Sequence, residues 1–414
     1  MGGSAPDAVV VAACRTAIGT AHTGTLVDTT AHELAETVVA EVLRRSGLEA
    51  GDVDDVHLGE CSYGGGDIAR YTALAVGLTD VPGVALNRHC ATSLTSVVTA
   101  AACVRSGMER AIIAGGTQSS STAPALKRRV PGTADEWEEP WYSPTHVDSP
   151  DAPNRDMTIT VGWNTAREAG ITREEMDSWA LRSHQRAIAA IDAGAFEAEI
   201  VPIKARRKDG SFVEFTVDEH PRRATSMEKL ASLKPIHPEI EGFSITAGNS
   251  SGVNDGAAAL MVVADDLAAE RGLTPMARIV SWSAVGVAPQ RTGMSVVEAI
   301  PLALKRAGLR PNDVALWEIN EAFASVPVAA SRLLDIDPEL VNTSGSGCSL
   351  GHPVAASGAR MLTTLIHELG RRGGGYGVAA MCAGGGQGAA VVVEVPGSRA
   401  LRAGSRPVEL PARN

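Results

Sequence analysis

The chain alternates short, wholly apolar runs with longer stretches in which apolar residues recur every three or four positions. Residues 8–13 (AVVVAA) and 84–86 are apolar runs that predict strands, and residues 53–58 are predicted to form another strand between them. Residues 30–47 and 92–105 each form one apolar stripe with the period of a helix. Strands that alternate with helices in this way predict an α/β protein with a largely parallel, doubly wound sheet.

The pattern of the first part of the chain returns in the second. The segment SGLEAGDVDDVHLGE (46–60) is echoed by AGLRPNDVALWEINE (307–321), and the helix at 92–105 has a counterpart at 355–369. A repeat of this length indicates a duplicated domain. Each copy begins its later helix with a reactive residue, Cys90 in the first and His352 in the second.

The middle of the chain has a different texture. A loop rich in proline and tryptophan leads to a helix that starts with a capping box at Thr172 and runs to residue 193, so this segment is predicted to be an inserted subdomain. The predicted divisions are 1–117 plus 243–272 for the first half, 118–242 for the insertion and 273–396 for the second half. Residues 397–414 are predicted to be a flexible tail.

Composition removes several classes of function. The net charge of −11 disfavours a surface for polyanions, and 4% aromatic residues disfavour base stacking with nucleic acid. The six cysteines show no disulfide framework, and neither Cys61 nor Cys348 has a CxxC partner, so no metal site is predicted. The chain lacks a run of 18 apolar residues and a signal-like leader, which predicts a soluble, cytoplasmic protein that binds no membrane.

Four segments at predicted strand exits carry the candidate chemistry: residues 87–90, 320–323, 351–353 and 382–386. Cys90 stands at a helix entrance, where the helix dipole favours a thiolate, although a lone cysteine is more often a small buried hydrophobe. A histidine in a Gly-rich turn, an Asn-Glu pair and a Gly-rich strand exit each have ordinary structural explanations. Their shared position in two duplicated units makes a common site the better interpretation.

In this light the chain resembles the thiolase family of acetyl-CoA acyltransferases. The similarity runs from VVVAACRTAIGT (9–20) through NRHCATSL (87–94), DEHPRR (218–223) and SITAGNSSGVNDGAA (244–258). It ends with NEAFA (320–324), SLGHPVAASGAR (349–360) and CAGGGQG (382–388). The resemblance implies two duplicated βαβαβ halves that form a layered α-β-α-β-α core, with an inserted loop subdomain.

The resemblance also implies a role for each reactive residue. Cys90 would be the nucleophile that accepts an acyl group, and His352 would take its proton. Cys382 would be the second acid and base, acting at the α-carbon of an acyl-CoA. One oxyanion would be held by His352 and a water on Asn320, and the other by the backbone N–H groups of Cys90 and Gly384.

Coenzyme A and acyl-CoA are the substrates that the resemblance implies, with no tightly bound cofactor and assembly as a homodimer or homotetramer. Ser251 matches a residue that contacts pantetheine, Met157 matches one that lines the acyl pocket, and Phe323 is predicted to form a wall of that pocket. The insertion is predicted to meet the phosphates of coenzyme A with basic side chains: Arg222, Arg223, Lys204, Arg206, Arg207 and Lys208.

Four positions depart from the family pattern: Ser93, Asp156, Ser346 and Ala355. Because they lie near the predicted active-site segments, we expect them to reshape the acyl pocket and disfavour plain acetoacetyl-CoA as substrate. Two alternatives stay open. One is a decarboxylative ketosynthase on the same fold, and the other is a catalytically silent scaffold that binds acyl-CoA.

Overall fold

The computed structural model describes residues 5–61, 66–207 and 209–397. Most of the predicted tail and Lys208 therefore lie outside the described residues. The strands are β1 (Ala8–Thr16), β2 (Gly19–Thr20), β3 (Asp55–Gly59), β4 (Gly83–Leu86), β5 (Ala111–Gln118), β6 (Arg128–Arg129), β7 (Trp137–Glu138), β8 (Ile200–Val201), β9 (Ile203–Arg206), β10 (Phe212–Phe215), β11 (Asn254–Ala264), β12 (Ala277–Gly286), β13 (Val314–Ile319), β14 (Gly375–Ala383) and β15 (Gln387–Val395).

The helices are α1 (Ala31–Ser46), α2 (Ile68–Ala75), α3 (Thr92–Ser106), α4 (Asn164–Glu168), α5 (Arg173–Asp192), α6 (Met227–Ala231), α7 (Asp265–Glu270), α8 (Ser295–Ala307), α9 (Ser325–Leu333) and α10 (Ser357–Arg371). Local sequence explains their ends. At the start of α1, Thr30 and Glu33 form a capping box, and the helix stops at Gly47, whose φ of 73° is left-handed. The predicted capping box at Thr172 likewise starts α5.

The longer strands join into one sheet in the order β13-β14-β15-β12-β1-β11-β5-β3-β4. The two halves meet where β1 pairs with β12, and reading outward from this seam each half repeats the same order of strands. An isolated parallel bridge from Trp317 to Val341 takes the place of β4 in the second half. The predicted duplication is confirmed.

The sheet is less parallel than predicted. In each half one strand runs against its neighbours: β11 is antiparallel to β1 and β5, and β15 is antiparallel to β12 and β14. The reason in the second half is the tight turn at residues 384–386, which joins β14 directly to β15. In the first half the corresponding connection, from β5 to β11, is long and contains the insertion.

Helices separate the two halves into layers. α1 packs on β1, β5 and β11, and α8 packs on β12 and β15, so these two helices cover the outer faces. α3 and α10 pack against each other and against strands of both halves, which puts them in the middle layer. The predicted α-β-α-β-α core is confirmed, and the helices that follow Cys90 and His352 lie side by side at its centre.

The insertion is anchored to the core by a buried ion network. Arg15 on β1 donates to Glu199 Oε1 (2.6 Å) and to both carboxylate oxygens of Asp218 (2.8 and 2.9 Å), and all three side chains are fully buried. The predicted domain boundaries remain predictions. Within the described residues, no helix is long and apolar enough to cross a membrane.

Candidate active site

A constrained turn presents Cys90 at the start of α3. The residue before it, His89, has a left-handed φ of 47°, and its N–H donates to Asn87 Oδ1 (2.9 Å). Thr92 closes the turn from the helix side, because its hydroxyl donates to His89 O (2.6 Å) and accepts from the N–H of Arg88 (2.7 Å). The predicted strand-turn-helix unit is confirmed, and the turn fixes the direction of the Cys90 side chain.

Cys90 is a thiol in this structure. Burial raises its pKa to about 11, although the backbone N–H groups of Gly384 and of Cys90 itself act in the opposite direction. The backbone N–H groups at the helix entrance thus act in the predicted direction, but burial outweighs them. The sulfur needs a neighbouring base to become a nucleophile.

His352 is held in the tautomer that a base requires. The hydroxyl of Ser357 donates to Pro353 O (2.9 Å), so its oxygen accepts from His352 Nδ1–H (2.5 Å), and the lone pair is left on Nε2. Burial, assisted by the charge of Arg360, lowers the pKa of His352 to about 4. The ring is therefore neutral near pH 7 and can accept a proton at Nε2.

The backbone around His352 is fixed from the first half of the chain. The side-chain amide of Asn254 accepts from His352 N–H (3.0 Å) and donates to Gly19 O (3.0 Å). Gly351 has a φ of 104°, and a Cβ there would lie 2.3 Å from Asn254 Cγ. Only glycine allows the chain to pass so close to this amide.

Asn320 follows β13 and lies behind His352. Its Nδ2 is 3.4 Å from His352 Nε2, and its buried Oδ1 forms no hydrogen bond with the described residues. The next residue, Glu321, holds the surrounding segments together. Its buried carboxylate accepts from four donors that hold this segment in place: Trp179 Nε1, Ser183 Oγ, Asn342 Nδ2 and Cys348 N–H.

Cys382 and Gly384 come from the exit of β14. Burial raises the pKa of Cys382 well above its ordinary value. The negative charge that Cys90 carries as a thiolate would raise it further, which indicates that the two cysteines lie near each other. A Cβ on Gly384 would lie 3.2 Å from Thr145 Cγ2 and 3.4 Å from His89 Cγ. The absent side chain thus lets the N–H of Gly384 approach the sulfur of Cys90.

One cavity of about 1020 Å³ joins these elements. Of the nine predicted site residues, Asn320 alone is not part of its lining, and it contacts the cavity through His352. The eight that line the cavity are Cys90, His352, Cys382, Gly384, Met157, Arg222, Ser251 and Phe323. The structure thus brings the predicted residues together, and their individual roles remain predictions.

The basic residues of the insertion divide into two groups. Arg222 lines the cavity, and it forms no ion pair with a described residue. Arg223 instead pairs with Asp192 (2.5 Å), and Lys204, Arg206 and Arg207 are absent from the lining. Two basic residues that the sequence did not single out, Arg155 and Lys229, line the cavity as well.

The four departures from the family pattern do not line the cavity themselves, and their effect on its shape stays a prediction. The hydroxyl of Ser93 accepts from Ala359 N–H in α10, and that of Ser346 accepts from Arg360. Asp156 accepts from Thr158 and contacts His237 Nε2 (2.7 Å). Ala355 presents its carbonyl to Gly59 and Gly116. These residues fix the packing of segments behind the site.

Sequence reasoning missed the residues that orient the catalytic candidates. Ser357 and Asn254 act through single hydrogen bonds, and His89 and Thr145 line the cavity beside Cys90 and Gly384. The one available signal was Gly351 beside His352, since a glycine next to a reactive residue marks a close approach of the backbone.

Comparison with known proteins gives a consistent result over the whole fold. The family models "Thiolase, N-terminal domain" and "Thiolase, C-terminal domain" match residues 8–266 and 273–395. The acetyl-CoA acetyltransferase of Escherichia coli (strain K12) is 40% identical over 400 residues, which cover 94% of this chain and 99% of that protein. The mitochondrial 3-ketoacyl-CoA thiolase of Bos taurus is 38% identical over 397 residues, covering 93% and 97%. The crystal structure of the Bacillus anthracis acetyl-CoA acetyltransferase matches with a TM-score of 0.86 and 36% identity, covering 95% of this chain and 100% of that one.

Proposed function

Because the chain belongs to the thiolase family and is an acyltransferase, we propose that it makes or cleaves the carbon–carbon bond of a 3-ketoacyl-CoA through an acyl group held on Cys90. The observation that carries this proposal is the convergence of Cys90, His352 and Cys382 on one cavity. The reaction is ping-pong, since the first product leaves before the second substrate reacts with the acyl-enzyme.

In the first half-reaction the thiol of Cys90 attacks a carbonyl carbon. His352 Nε2 accepts the thiol proton as the new carbon–sulfur bond forms, because the ring is neutral and its Nδ1–H is held by Ser357, which leaves Nε2 unprotonated. When acetyl-CoA is the donor, the carbon–sulfur bond to coenzyme A breaks. The proton on His352 then passes to the departing thiolate.

In the second half-reaction Cys382 acts at the α-carbon of a second acyl-CoA. For condensation the Cys382 thiol first gives its proton to His352 Nε2, and its deprotonated sulfur then removes one α-proton. The carbanion attacks the acyl carbonyl on Cys90, and the released thiolate of Cys90 takes the proton back from His352. For cleavage the same steps run in reverse, and the Cys382 thiol protonates the enolate that leaves as acyl-CoA.

Two groups of hydrogen-bond donors serve the oxyanions of these steps. The N–H groups of Cys90 and Gly384, which already act on the Cys90 sulfur, hold the oxygen of the acyl group on Cys90. Asn320, through a water, and His352, once its Nε2 has accepted a proton, hold the oxygen of the other thioester. The buried, unpartnered Oδ1 of Asn320 gives such a water an acceptor.

The proposed substrate is a 3-ketoacyl-CoA larger than acetoacetyl-CoA. Its support is the apolar part of the cavity wall, which includes Met157, Val161 and Phe323. Ser251 and Arg222 are assigned to the pantetheine and the phosphates. Thiolysis of 3-ketoacyl-CoAs of increasing chain length tests this, and a kcat/KM that is highest for acetoacetyl-CoA contradicts it.

The acyl-enzyme itself is tested by mass spectrometry. Incubation with acetyl-CoA adds about 42 Da to the peptide that contains Cys90, which is one acetyl group in exchange for the thiol proton. Cys90→Ala removes the adduct. A chain that stays unmodified is a scaffold, and a chain that condenses only when a malonyl thioester is supplied is a ketosynthase; either result overturns the proposal.

Several finer properties stay predictions. Acyl-CoA as substrate follows from the family, whereas assembly as a homodimer or homotetramer, a place in lipid metabolism and location in the cytoplasm do not. The same is true of coenzyme A binding by the segment 118–242. The lining residues Arg222 and Lys229, which belong to this segment, support that assignment.

A further inference from the structure

A second cluster of reactive side chains lies at the opposite end of α3 from the active site. His57 on β3, Cys103 on α3 and Glu109 after α3 each offer one ligand atom, and these three atoms lie within 4.8 Å of one another. Cys103 is eleven residues beyond Thr92, or about 17 Å along the helix. The cluster is therefore separate from the catalytic cavity, and the thiolase reaction does not use it.

His57 is built as a metal ligand would be. Asp55 and His57 are two residues apart on β3, so both side chains project from the same face of the strand, toward α3. The Nε2 of His57 lies 3.2 Å from Asp55 Oδ2, and a carboxylate at this position takes the N–H and leaves the lone pair on Nδ1. His57 is only 3% exposed, and its Nδ1 has no hydrogen-bond partner among the described residues.

Ordinary hydrogen bonding does not complete this cluster. Cys103 and Glu109 interact with each other, but the thiol has a single proton to donate, and Nδ1 of His57 is left as a buried acceptor without a donor. Glu109 Oε2 is also buried without a partner among these residues. A buried acceptor without a donor destabilises the fold, and a cation would satisfy both atoms.

We propose that His57 Nδ1, Cys103 Sγ and a Glu109 carboxylate oxygen bind one Zn²⁺, with water as the fourth ligand. One imidazole, one thiolate and one carboxylate suit zinc better than magnesium or calcium, which take oxygen ligands. Binding converts the Cys103 thiol to a thiolate bonded to the metal and releases its proton to solvent. The ion joins β3 to the end of α3 and stabilises the fold without entering the reaction.

The ligand side chains need to move only a short distance to bind zinc. Tetrahedral zinc holds nitrogen, oxygen and sulfur ligands about 3.4–3.6 Å apart, against the 4.8 Å limit that contains the three atoms here. Cys103 and Glu109 are only partly buried, so their side chains can close this gap while His57 stays fixed by Asp55. This site could not be found from the sequence, because its ligands are 46 and 6 residues apart along the chain and match no recognised metal-binding spacing.

Cobalt provides a direct test, because a cobalt–thiolate bond has a charge-transfer absorption band. The full chain is used with Cys90→Ser and Cys382→Ser, so that the active-site thiols cannot bind the metal. We expect one Co²⁺ per chain with this band, displacement of Co²⁺ by Zn²⁺, and a Tm that rises with added Zn²⁺. Adding Cys103→Ser should abolish the band, whereas Cys14→Ser, a buried thiol that donates to Val38 O, should retain it.

Two further variants separate ligation from folding. Glu109→Gln keeps the shape of the side chain and should weaken Zn²⁺ binding, as should Asp55→Asn, by about 10- to 100-fold. Failure of the chain to bind Co²⁺, or a full-strength band in the Cys103→Ser chain, overturns the proposal. If Cys103→Ser does not fold, unchanged affinity in both Glu109→Gln and Asp55→Asn overturns it equally.

Discussion

At the scale of single residues, the active site depends on protonation states that neighbouring atoms impose. Cys90 is kept as a thiol by burial, and His352 is kept neutral with its lone pair on Nε2. A neutral thiol beside a neutral base is a resting state that becomes reactive when a substrate carbonyl is present. The residue that fixes this arrangement is Ser357, which contacts no other catalytic candidate.

Replacing Ser357 with alanine tests its positioning role. Without the hydroxyl, His352 Nδ1 loses its acceptor, and the ring can rotate or carry its proton on Nε2. Loss of one hydrogen bond of about 1.4 kcal/mol should lower kcat about tenfold with little change in KM. Steady-state kinetics measure this split. Ser357→Thr retains a hydroxyl and should recover most of the rate, whereas equal losses in both variants would indicate a packing role only.

The low pKa of His352 predicts how stability depends on pH. The unfolded chain binds a proton at this residue below about pH 6.5, but the folded chain resists protonation until about pH 4. Stability from this group is therefore complete above pH 6.5 and is lost as the pH falls toward 4. Acidification should therefore lower the free energy of unfolding of His352→Gln less than that of the unmodified protein. The difference should be up to about 3 kcal/mol, at about 1.36 kcal/mol per pKa unit. Urea unfolding at several pH values measures it, and parallel curves for the two proteins would refute it.

Arg222 and Arg223 form a matched pair for testing coenzyme A contacts. Arg222 lines the cavity, whereas Arg223 is held by Asp192. Arg222→Ala should raise KM for coenzyme A about tenfold, since a charge-assisted contact to phosphate is lost. Arg223→Ala should leave KM unchanged. Equal KM values for the two variants would show that Arg222 does not contact coenzyme A.

At the scale of secondary-structure elements, the site is assembled from loops that follow strands, and each loop is fixed by a buried polar contact. Asn254 links the His352 loop to Gly19 near the end of β1, and Glu321 links the exit of β13 to α5 and to the loop before His352. Glu321 has no cation among the partners that the structure records, and its charge is compensated by four hydrogen-bond donors. These contacts determine where the catalytic loops lie.

Glu321→Ala should therefore be strongly destabilising. Removal of the carboxylate leaves Trp179 Nε1, Ser183 Oγ and Asn342 Nδ2 as buried donors. Each lost partner costs about 1–3 kcal/mol, so the free energy of unfolding should fall by about 3 kcal/mol or more. Denaturant unfolding of Glu339→Ala gives the comparison. This exposed residue pairs with Arg182 and Arg186 at the surface, where about 0–1 kcal/mol is expected. Similar losses in both variants would contradict the assigned role of Glu321.

The elements themselves could be predicted from sequence, because they depend on local physics. Apolar periodicity located α1 and α3, and the capping box at Thr172 located the start of α5 to within one residue. Contacts between distant segments could not be predicted in the same way. The approach of Gly384 to Cys90 and the placement of Ser93 behind the cavity depend on how the layers pack. The bond between His352 and Ser357 spans only five residues, yet no sequence pattern marks it.

At the scale of the whole molecule, duplication produces the site. The two halves repeat one strand order about the β1–β12 seam, and their equivalent helices α3 and α10 lie together in the middle layer. Cys90 therefore comes from the first half, and His352, Asn320 and Cys382 come from the second. The resemblance to a family predicted this convergence, whereas the separate effect of burial on each thiol required the structure. The two thiols have different tasks: Cys90 carries the acyl group, and Cys382 moves the α-proton.

Exchange of the α-protons of acetyl-CoA in D₂O, followed together with acylation of Cys90, tests this division most directly. Cys382→Ser should still acquire the acetyl group on Cys90, but its exchange rate should fall by about 10²- to 10⁴-fold. Cys348→Ser, which changes another buried thiol in the same cavity lining, should exchange like the unmodified protein. Normal exchange in Cys382→Ser, or loss of acylation in that variant, would contradict the account.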